Sequence, residues 1–167
     1  LLSSSTQKVT AIYHANGKDI WVLLHEYNSN AFYAYLVTSD GINMTPVISN
    51  VGSINQEPAN PDPNPPPNSS GWGEMKFSTN GNKVAVAIPG LDLVEVFDFN
   101  LTTGILSYSI SVEVESSITV EFSPDESLVY IGNDREFNLT IDSAHVYQMD
   151  LLAGDSIDII NSLTRID

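Results

Sequence analysis

The sequence predicts an all-β fold built from about three four-stranded antiparallel units. One segment, in which a short alternating strand, a polar turn and a second apolar strand follow one another, recurs at residues 8–22, 75–86 and 120–131. A third strand that ends in a Gly-terminated turn follows each copy, and a fourth strand comes after it. No stretch of the sequence has a convincing helical pattern, so the units are expected to consist of strands alone.

The three hairpins that begin the units carry the strongest local signals. Apolar residues alternate with polar ones along them, and a period of two is typical of a strand with one buried face. The second hairpin has Asn80 and Gly81 between two apolar runs, which favours a tight turn. The third has Pro124, which presets the turn backbone, and Asp125, whose side chain can bond to its own main chain.

The later strands complete each unit. The third strands with their turns are predicted at residues 32–41, 94–104 and 145–154, and the fourth strands at 46–49, 105–112 and 157–160. The second and third units are spaced by about 45 residues, which is the period of a β-propeller blade. The predicted boundaries are about 8–52 for blade one, about 73–113 for blade two and about 117–162 for blade three.

A proline-rich segment at residues 56–71 separates blade one from blade two. Proline has no N–H to contribute to a strand ladder, so this segment cannot join a sheet. It is expected to form an extended, solvated loop with polyproline character. This insertion explains why the first two units lie further apart in the sequence than the second and third.

The composition excludes several classes of function. The chain has 167 residues, of which 42% are hydrophobic, and it can therefore bury a core. Its formal net charge of −15 disfavours nucleic acids and anionic membrane surfaces, because basic residues must neutralise both. There is no cysteine, which removes disulfides and thiolate metal sites, and no apolar stretch is long enough for membrane insertion.

A resemblance to known proteins adds to this pattern. In blade one it is carried by residues 8–11, 14–19, 21, 25, 29–30, 32–36 and 46–52. These residues resemble the β-propeller regions of large bacterial surface proteins exported by the type IX secretion system, many of which are associated with gliding motility. Blades two and three resemble WD-repeat-like or YVTN-lactonase-like blades, through residues 77–78 with 80–81 and through residues 122–125.

The resemblance implies a partial β-propeller in an extracellular or outer-surface protein of a bacterium. A closed propeller needs roughly four to eight blades, so three blades are expected to be part of a larger ring. An open arc leaves two exposed apolar blade faces, and such surfaces invite association. The expected partners of these faces are the remaining blades of the parent chain or a second copy of this chain.

The strand order predicts that the longest loops lie on one face of the blades. Because successive strands run in opposite directions, the loops between second and third strands emerge together with the connections between blades. The proline-rich insertion and the loop at residues 133–143 are both of this kind. Long loops on a rigid scaffold often carry function, although neutral loop elongation explains them equally well. The candidate binding residues on this loop face are Tyr27, Asn30, Asp62, Trp72, Asp92, Asp134, Arg135 and Glu136.

No catalytic residues and no cofactor are predicted, because the chain has no nucleophile elbow, phosphate loop or pair of histidine ligands. Asp134, Glu136 and Asp142 could contribute oxygens to a calcium site, but the EF-hand spacing is absent and a solvated acidic loop is favoured. Trp72 could stack on a sugar ring or pack in the core. His25 could bind a metal or act as a base, but no second ligand lies at a suitable spacing.

Three functions remain open. The first is a non-catalytic binding or scaffold module that presents its loop face to a protein or a glycan. The second is an enzyme of the lactonase-like propeller kind, for which the inner strands offer mainly Thr10, Lys76 and Glu121. The third is a structural spacer that binds no ligand.

Overall fold

The structure, a computed structural model, describes residues 2, 4–56, 70–134 and 143–167. These residues form three antiparallel sheets, which confirms the predicted all-β blade architecture. Each sheet is one blade, and the blades follow one another in chain order. Most of the proline-rich insertion and most of the long loop of blade three lie outside the described residues.

Blade one contains five strands, one more than the sequence predicts. They are β1 (Ser5–Tyr13), β2 (Ile20–Glu26), β3 (Ala31–Thr38), β4 (Gly41–Ile42) and β5 (Val47–Asn50). The strand order is β1-β2-β3-β4, and β5 pairs with the other end of β3. Strand β4 was not predicted from the sequence, because its two residues are too few to show an alternating pattern.

Blade two contains β6 (Met75–Phe77), β7 (Lys83–Ile88), β8 (Leu93–Phe99) and β9 (Leu106–Glu113), hydrogen-bonded in that order. The predicted turn between its first two strands is present. Gly81 has a left-handed φ of 75°, and its backbone N–H donates to the carbonyl oxygen of Ser78 at 2.9 Å. A 3-10 turn at Pro89–Leu91 joins β7 to β8, and Asp92 follows it with a φ of 54°.

Blade three contains β10 (Ser117–Phe122), β11 (Leu128–Asn133), β12 (Val146–Asp150), the helix α1 (Ser156–Asn161) and β13 (Thr164–Arg165). The prediction of a fourth strand at residues 157–160 was wrong, because these residues form α1. Asp155 caps the helix by accepting from the backbone N–H groups of Ile157 and Asp158, and the Asp158 carboxylate accepts from the N–H of Asp155 in return. The fourth strand is β13, which pairs with β12. Within the described residues, no helix has the length and apolar character needed to cross a membrane.

The blades stack face to face, with a hydrophobic core between consecutive blades. We call the side of a blade that points to the preceding blade its leading face, and the opposite side its trailing face. The core between blades one and two includes Trp21, Leu23, Phe32, Val84 and Phe97, and the ring centroids of Phe32 and Phe97 are 5.0 Å apart. The core between blades two and three includes Ala85, Val96, Val120, Ile131 and Met149.

The leading face of blade one and the trailing face of blade three lie at the two ends of this stack. The expectation that both are apolar fits blade one and was wrong for blade three, whose end face is mixed in polarity. The leading face of blade one is apolar and exposes Val9 and Tyr13. The trailing face of blade three instead presents Thr119, Glu121 and Gln148 beside Tyr130 and Val146, because the alternation of β10 to β12 directs most of their apolar residues into the core with blade two.

The innermost strands of the three blades, β1, β6 and β10, lie side by side. The backbone N–H of Gln7 donates to the carbonyl oxygen of Gly71 at 3.0 Å, which joins β1 to the segment before β6. The N–H of Glu74 donates to the carbonyl oxygen of Ile118 at 2.9 Å, which joins the same segment to β10. The beginnings of the three inner strands therefore meet at one end of the arc, on the loop face.

Candidate binding face

A cleft of about 790 Å³ opens where the inner strands begin. Blade one, the segment that leads into β6, and blade three all contribute to its walls. The cleft is lined by Gln7, Lys8, Val9, Trp72, Gly73, Glu74, Met75, Lys76, Ile118, Thr119 and Asp134. Its lining therefore combines an indole ring, an amide, a hydroxyl group, two carboxylates, two lysine amines and aliphatic side chains.

Lys8 is a buried cation beneath this cleft. Its side chain is 1% exposed, and its Nζ donates to the carbonyl oxygens of Ser70, at 2.7 Å, and of Trp72. Burial lowers the pKa of Lys8 to about 7, because a charge is costly away from water. Lys8 thus fastens the end of the proline-rich insertion to the first strand of blade one.

His25 holds the other end of the insertion. It is buried, packs edge-to-face on Phe32 with ring centroids 4.5 Å apart, and has its Nδ1 3.3 Å from the amide nitrogen of Asn55. Burial lowers the pKa of His25 to about 4, and the charge of Lys8 acts in the same direction. A buried, neutral imidazole that binds Asn55 has the geometry of a structural anchor.

The loop between β2 and β3 meets the same end of the insertion. The N–H of Asn28 donates to the carbonyl oxygen of Asn55 at 2.9 Å, and the N–H of Asn55 donates to that of Ser29 at 3.0 Å. The predicted site residues Tyr27 and Asn30 are half-buried in this loop. They lie on the loop face, beside the cleft and not in its lining.

The loops of blades two and three are joined through Ser116. The Asp92 carboxylate accepts from the N–H of Ser116 at 2.7 Å, and the carbonyl oxygen of Ser116 accepts from the N–H of Asp134 at 3.1 Å. Asp92 borders a separate depression with Leu91, whereas Asp134 lines the cleft. Hydrogen bonds of the backbone and of the Asp92 carboxylate therefore connect the loops of blades two and three on the loop face.

The structure brings together some of the predicted site residues. Trp72 and Asp134 line one cleft, while Tyr27, Asn30 and Asp92 lie in the loops around it. Three predicted residues lie outside the described part of the chain, and they are Asp62, Arg135 and Glu136. Ligand binding by these side chains remains a prediction.

Of the three residues in the calcium hypothesis, the structure describes only Asp134. Glu136 and Asp142, which accompany Asp134 in that hypothesis, lie outside the described residues. Among the side chains that the structure does describe, no group of three or more His, Cys, Asp or Glu is placed to hold a metal ion. Calcium binding therefore remains a prediction without a defined ligand set.

Sequence reasoning missed the role of Lys8. In β1 the buried positions are Thr6 and Lys8, whereas Val9 is 58% exposed. Hydropathy alone would bury Val9 and expose Lys8. The one signal in the sequence is that Lys8 shares its side of the strand with Thr6 and Thr10. Of the inner-strand residues considered for an enzyme, Lys76 and Glu121 approach each other to 3.7 Å, with side chains that are 41% and 64% exposed.

Comparisons with known proteins identify a fold. No protein-family model and no curated protein matches the sequence. Similar solved structures include a candidate 6-phosphogluconolactonase from Bacteroides uniformis, with a TM-score of 0.58, 12% identity and coverage of 97% of this chain and 40% of that one. A counterpart from Bacteroides fragilis has a TM-score of 0.56, 12% identity and coverage of 95% and 37%.

The periplasmic gluconolactonase PpgL of Pseudomonas aeruginosa is a third similar structure, with a TM-score of 0.52, 17% identity and coverage of 95% of this chain and 42% of that one. At such identities the likeness shows the fold alone. The chain spans less than half of the length of each of these proteins. The blade sheets and these neighbours together establish that this chain is a run of β-propeller blades.

Proposed function

We propose that this chain is a non-catalytic binding module that presents its loop face to a protein or a glycan. The observation that carries the proposal is the cleft bordered by Trp72 and Asp134, at the meeting point of the three inner strands. Buried Lys8 and His25 hold both ends of the insertion beside it. A site whose supporting side chains are already ordered loses little entropy when a ligand binds.

The lining of the cleft indicates the chemistry of the ligand. Trp72 can cover an apolar sugar or side-chain face, while Gln7 and Thr119 offer hydrogen-bonding groups. Glu74 and Asp134 add two carboxylates, and Lys8 and Lys76 add two amines. The net charge of −15 favours a neutral or cationic ligand over a polyanion.

Location at the outer surface of a bacterium is part of the same proposal. It is supported by the resemblance of blade one to blades of type IX-secreted, gliding-motility-associated proteins. A surface protein would meet glycans and other proteins at its loop face. Detection of the parent protein on intact cells by an antibody to this chain tests the location.

A lactonase-like enzyme is the alternative. Its support is that three structural neighbours carry lactonase names, and that Lys76 and Glu121 form an exposed ion pair on neighbouring inner strands. The purified chain would then hydrolyse gluconolactone faster than buffer does, as measured by titration of the released acid at constant pH. Glu121→Gln would reduce the rate to the spontaneous one. Hydrolysis equal to the buffer rate excludes this alternative for the chain tested.

The binding proposal is tested by titrating the isotope-labelled chain with neutral oligosaccharides and, in parallel, with lysine-rich peptides, by NMR. We expect the amide signals of Trp72, Gly73 and Asp134 to shift with one of the two probe classes. Trp72→Ala and Asp134→Asn should weaken binding at least tenfold, while Asp40→Asn, in the turn after β3 at the opposite end of the blade, should leave it unchanged. Absence of shifts at the cleft with either class would contradict the proposal.

A further inference from the structure

The strand register places a largely apolar surface on the leading face of blade one, and Glu26 borders it. Three rows of cross-strand neighbours form it. The rows are Val9, Leu24, Tyr33 and Ile48, then Ala11, Val22 and Tyr35, then Tyr13, Ile20, Val37 and Ile42. Such a face is unexpected on an exterior surface of a chain whose net charge is −15.

The outer strands of this surface expose four apolar side chains, whereas Tyr35 in its middle row is buried. Val9 is 58% exposed, Tyr13 62%, Ile42 51% and Ile48 50%. Contiguous apolar patches rimmed by polar residues usually mark interaction sites. Tyr13 also suits an interface, because its ring supplies apolar area and its hydroxyl group can bond to a polar partner.

The two interfaces inside the chain show what such a face packs against. The leading face of blade two, with Val84 and Phe97, packs on the trailing face of blade one. The leading face of blade three, with Val120 and Ile131, packs on the trailing face of blade two. In both cases the leading face is apolar and packs on the trailing face of the blade before it, and the leading face of blade one has the same apolar character.

The trailing face of blade three, at the other end of the stack, is mixed in polarity. A groove of about 230 Å³ on it is lined by Thr119, Tyr130, Gly132 and Val146, together with Glu74 and Lys76 of blade two. Gly132 keeps the groove open, because a Cβ at this position would collide with the Thr119 hydroxyl oxygen. Gln148 and Glu121, on the same face, can accept hydrogen bonds from tyrosine hydroxyl groups.

We propose that two copies of this chain associate head to tail, with the leading face of blade one of each copy on the trailing face of blade three of the other. Two identical interfaces then close a ring of six blades, which lies within the range of four to eight known for propellers. The contact has the same leading-on-trailing orientation as the two blade interfaces within the chain. Because both copies are strongly acidic, association should strengthen as salt screens their repulsion.

The experiment measures the molar mass of the purified chain by light scattering over a wide range of concentration and salt. We expect a shift from the monomer mass of 18.2 kDa to twice that value as concentration and ionic strength rise. A chain that stays monomeric under all these conditions overturns the proposal. Larger open-ended species also overturn it, because they show head-to-tail contact without ring closure.

Matched variants identify the faces. Val9→Glu alters the leading face of blade one and Val146→Glu the trailing face of blade three, while Ile157→Glu adds the same charge at a 67%-exposed position on α1. Either face variant should shift the dimerisation constant at least tenfold toward monomer, and Ile157→Glu should not. Circular dichroism checks that all three remain folded.

Mixing the two face variants separates head-to-tail docking from other arrangements. Each variant keeps the face that the other has lost, so the mixture retains one native interface and should form a heterodimer where each variant alone is monomeric. If Val146→Glu dimerises as well as the native chain while Val9→Glu does not, two leading faces pair with each other and the proposal is wrong. If neither face variant changes the mass of a dimer, the interface lies elsewhere and the proposal is also wrong.

Discussion

Lys8 Nζ donates a hydrogen bond to the carbonyl oxygen of Ser70, 2.7 Å away, so that a buried ammonium group in the first strand holds a residue 62 positions further along the chain. The same Nζ also donates to the carbonyl oxygen of Trp72. The wall of the candidate cleft is therefore attached to blade one before blade two begins. The energetics of Lys8 can be tested separately from ligand binding.

Lys8→Met should loosen this attachment. The carbonyl oxygens of Ser70 and Trp72 lose their donor, and buried unsatisfied acceptors cost about 1–3 kcal/mol. Hydrogen exchange should become faster at the amide of Gln7, which is bonded to Gly71 beside them. Lys18→Met, at an exposed turn position, is the control and should leave both stability and exchange unchanged. A Lys8→Met variant as stable as the native chain would contradict this expectation. It would show that removing the cost of burying the amine offsets the loss of the two hydrogen bonds.

The ionisation of Lys8 should make stability rise with pH above neutrality. Its pKa falls from 10.5 in the unfolded chain to about 7 in the fold, so between these values the unfolded state binds the extra proton. The free energy of unfolding should therefore increase from about pH 7 toward pH 10.5. Urea unfolding at several pH values measures this slope, and the slope should be smaller in Lys8→Met. An unchanged slope in that variant would assign the effect to other groups.

Protonation of His25 should lower the free energy of unfolding in mild acid. The pKa of His25 falls from 6.5 to about 4, mainly through burial, so the unfolded state binds more protons between these values. The contribution of neutral His25 to the free energy of unfolding is complete above pH 6.5. It decreases as the pH falls toward 4, by up to about 3 kcal/mol at roughly 1.4 kcal/mol per pH unit. His25→Gln should flatten the curve in this range. Equal curves for His25→Gln and the native chain would contradict this account.

Gly52 should not tolerate a side chain. Its φ is +76°, and a Cβ would lie 2.7 Å from Phe97 Cζ and 2.8 Å from Glu95 Oε2. Glu95 is a buried carboxylate whose pKa is raised by burial, and it accepts hydrogen bonds from the N–H and hydroxyl groups of Ser53. Gly52→Ala combines backbone strain with overpacking and should cost about 2–4 kcal/mol in chemical unfolding.

Gly17→Ala is the matched control for Gly52. Its φ of +68° is similar, but no atom lies within 4 Å of the added Cβ. It should therefore show only the backbone cost, about 1 kcal/mol. Equal losses in the two variants would mean that the contact of Gly52 with blade two has no energetic weight.

Asp155→Ala should weaken α1. The Asp155 carboxylate accepts from two backbone N–H groups at the start of the helix, and loss of such a cap costs about 0.5–2 kcal/mol. Thermal unfolding should show a lower midpoint, and exchange at the amides of Ile157 and Asp158 should increase. Ser156→Ala, at the first helical position, should have little effect because alanine favours a helix. A Ser156→Ala variant as unstable as Asp155→Ala would contradict the capping argument.

The sequence by itself determined the blades. Alternation of apolar residues and turn chemistry are local properties, so the hairpin around Gly81 and the repeated four-strand pattern could be predicted without knowledge of any contact. Local reasoning failed at residues 157–160, where aliphatic residues indicated a strand. There the reciprocal bonds of Asp155 and Asp158 start a helix instead.

The tertiary structure alone decided which side of each strand is covered. Alternation says that the two sides of β1 differ, but the neighbouring blade makes Lys8 the buried residue and leaves Val9 in solvent. The cleft depends on the same stacking, because Gln7, Trp72 and Asp134 become neighbours only when three inner strands lie side by side. Contacts between residues far apart in sequence arise from packing of whole sheets, and the pattern within one strand carries no information about them.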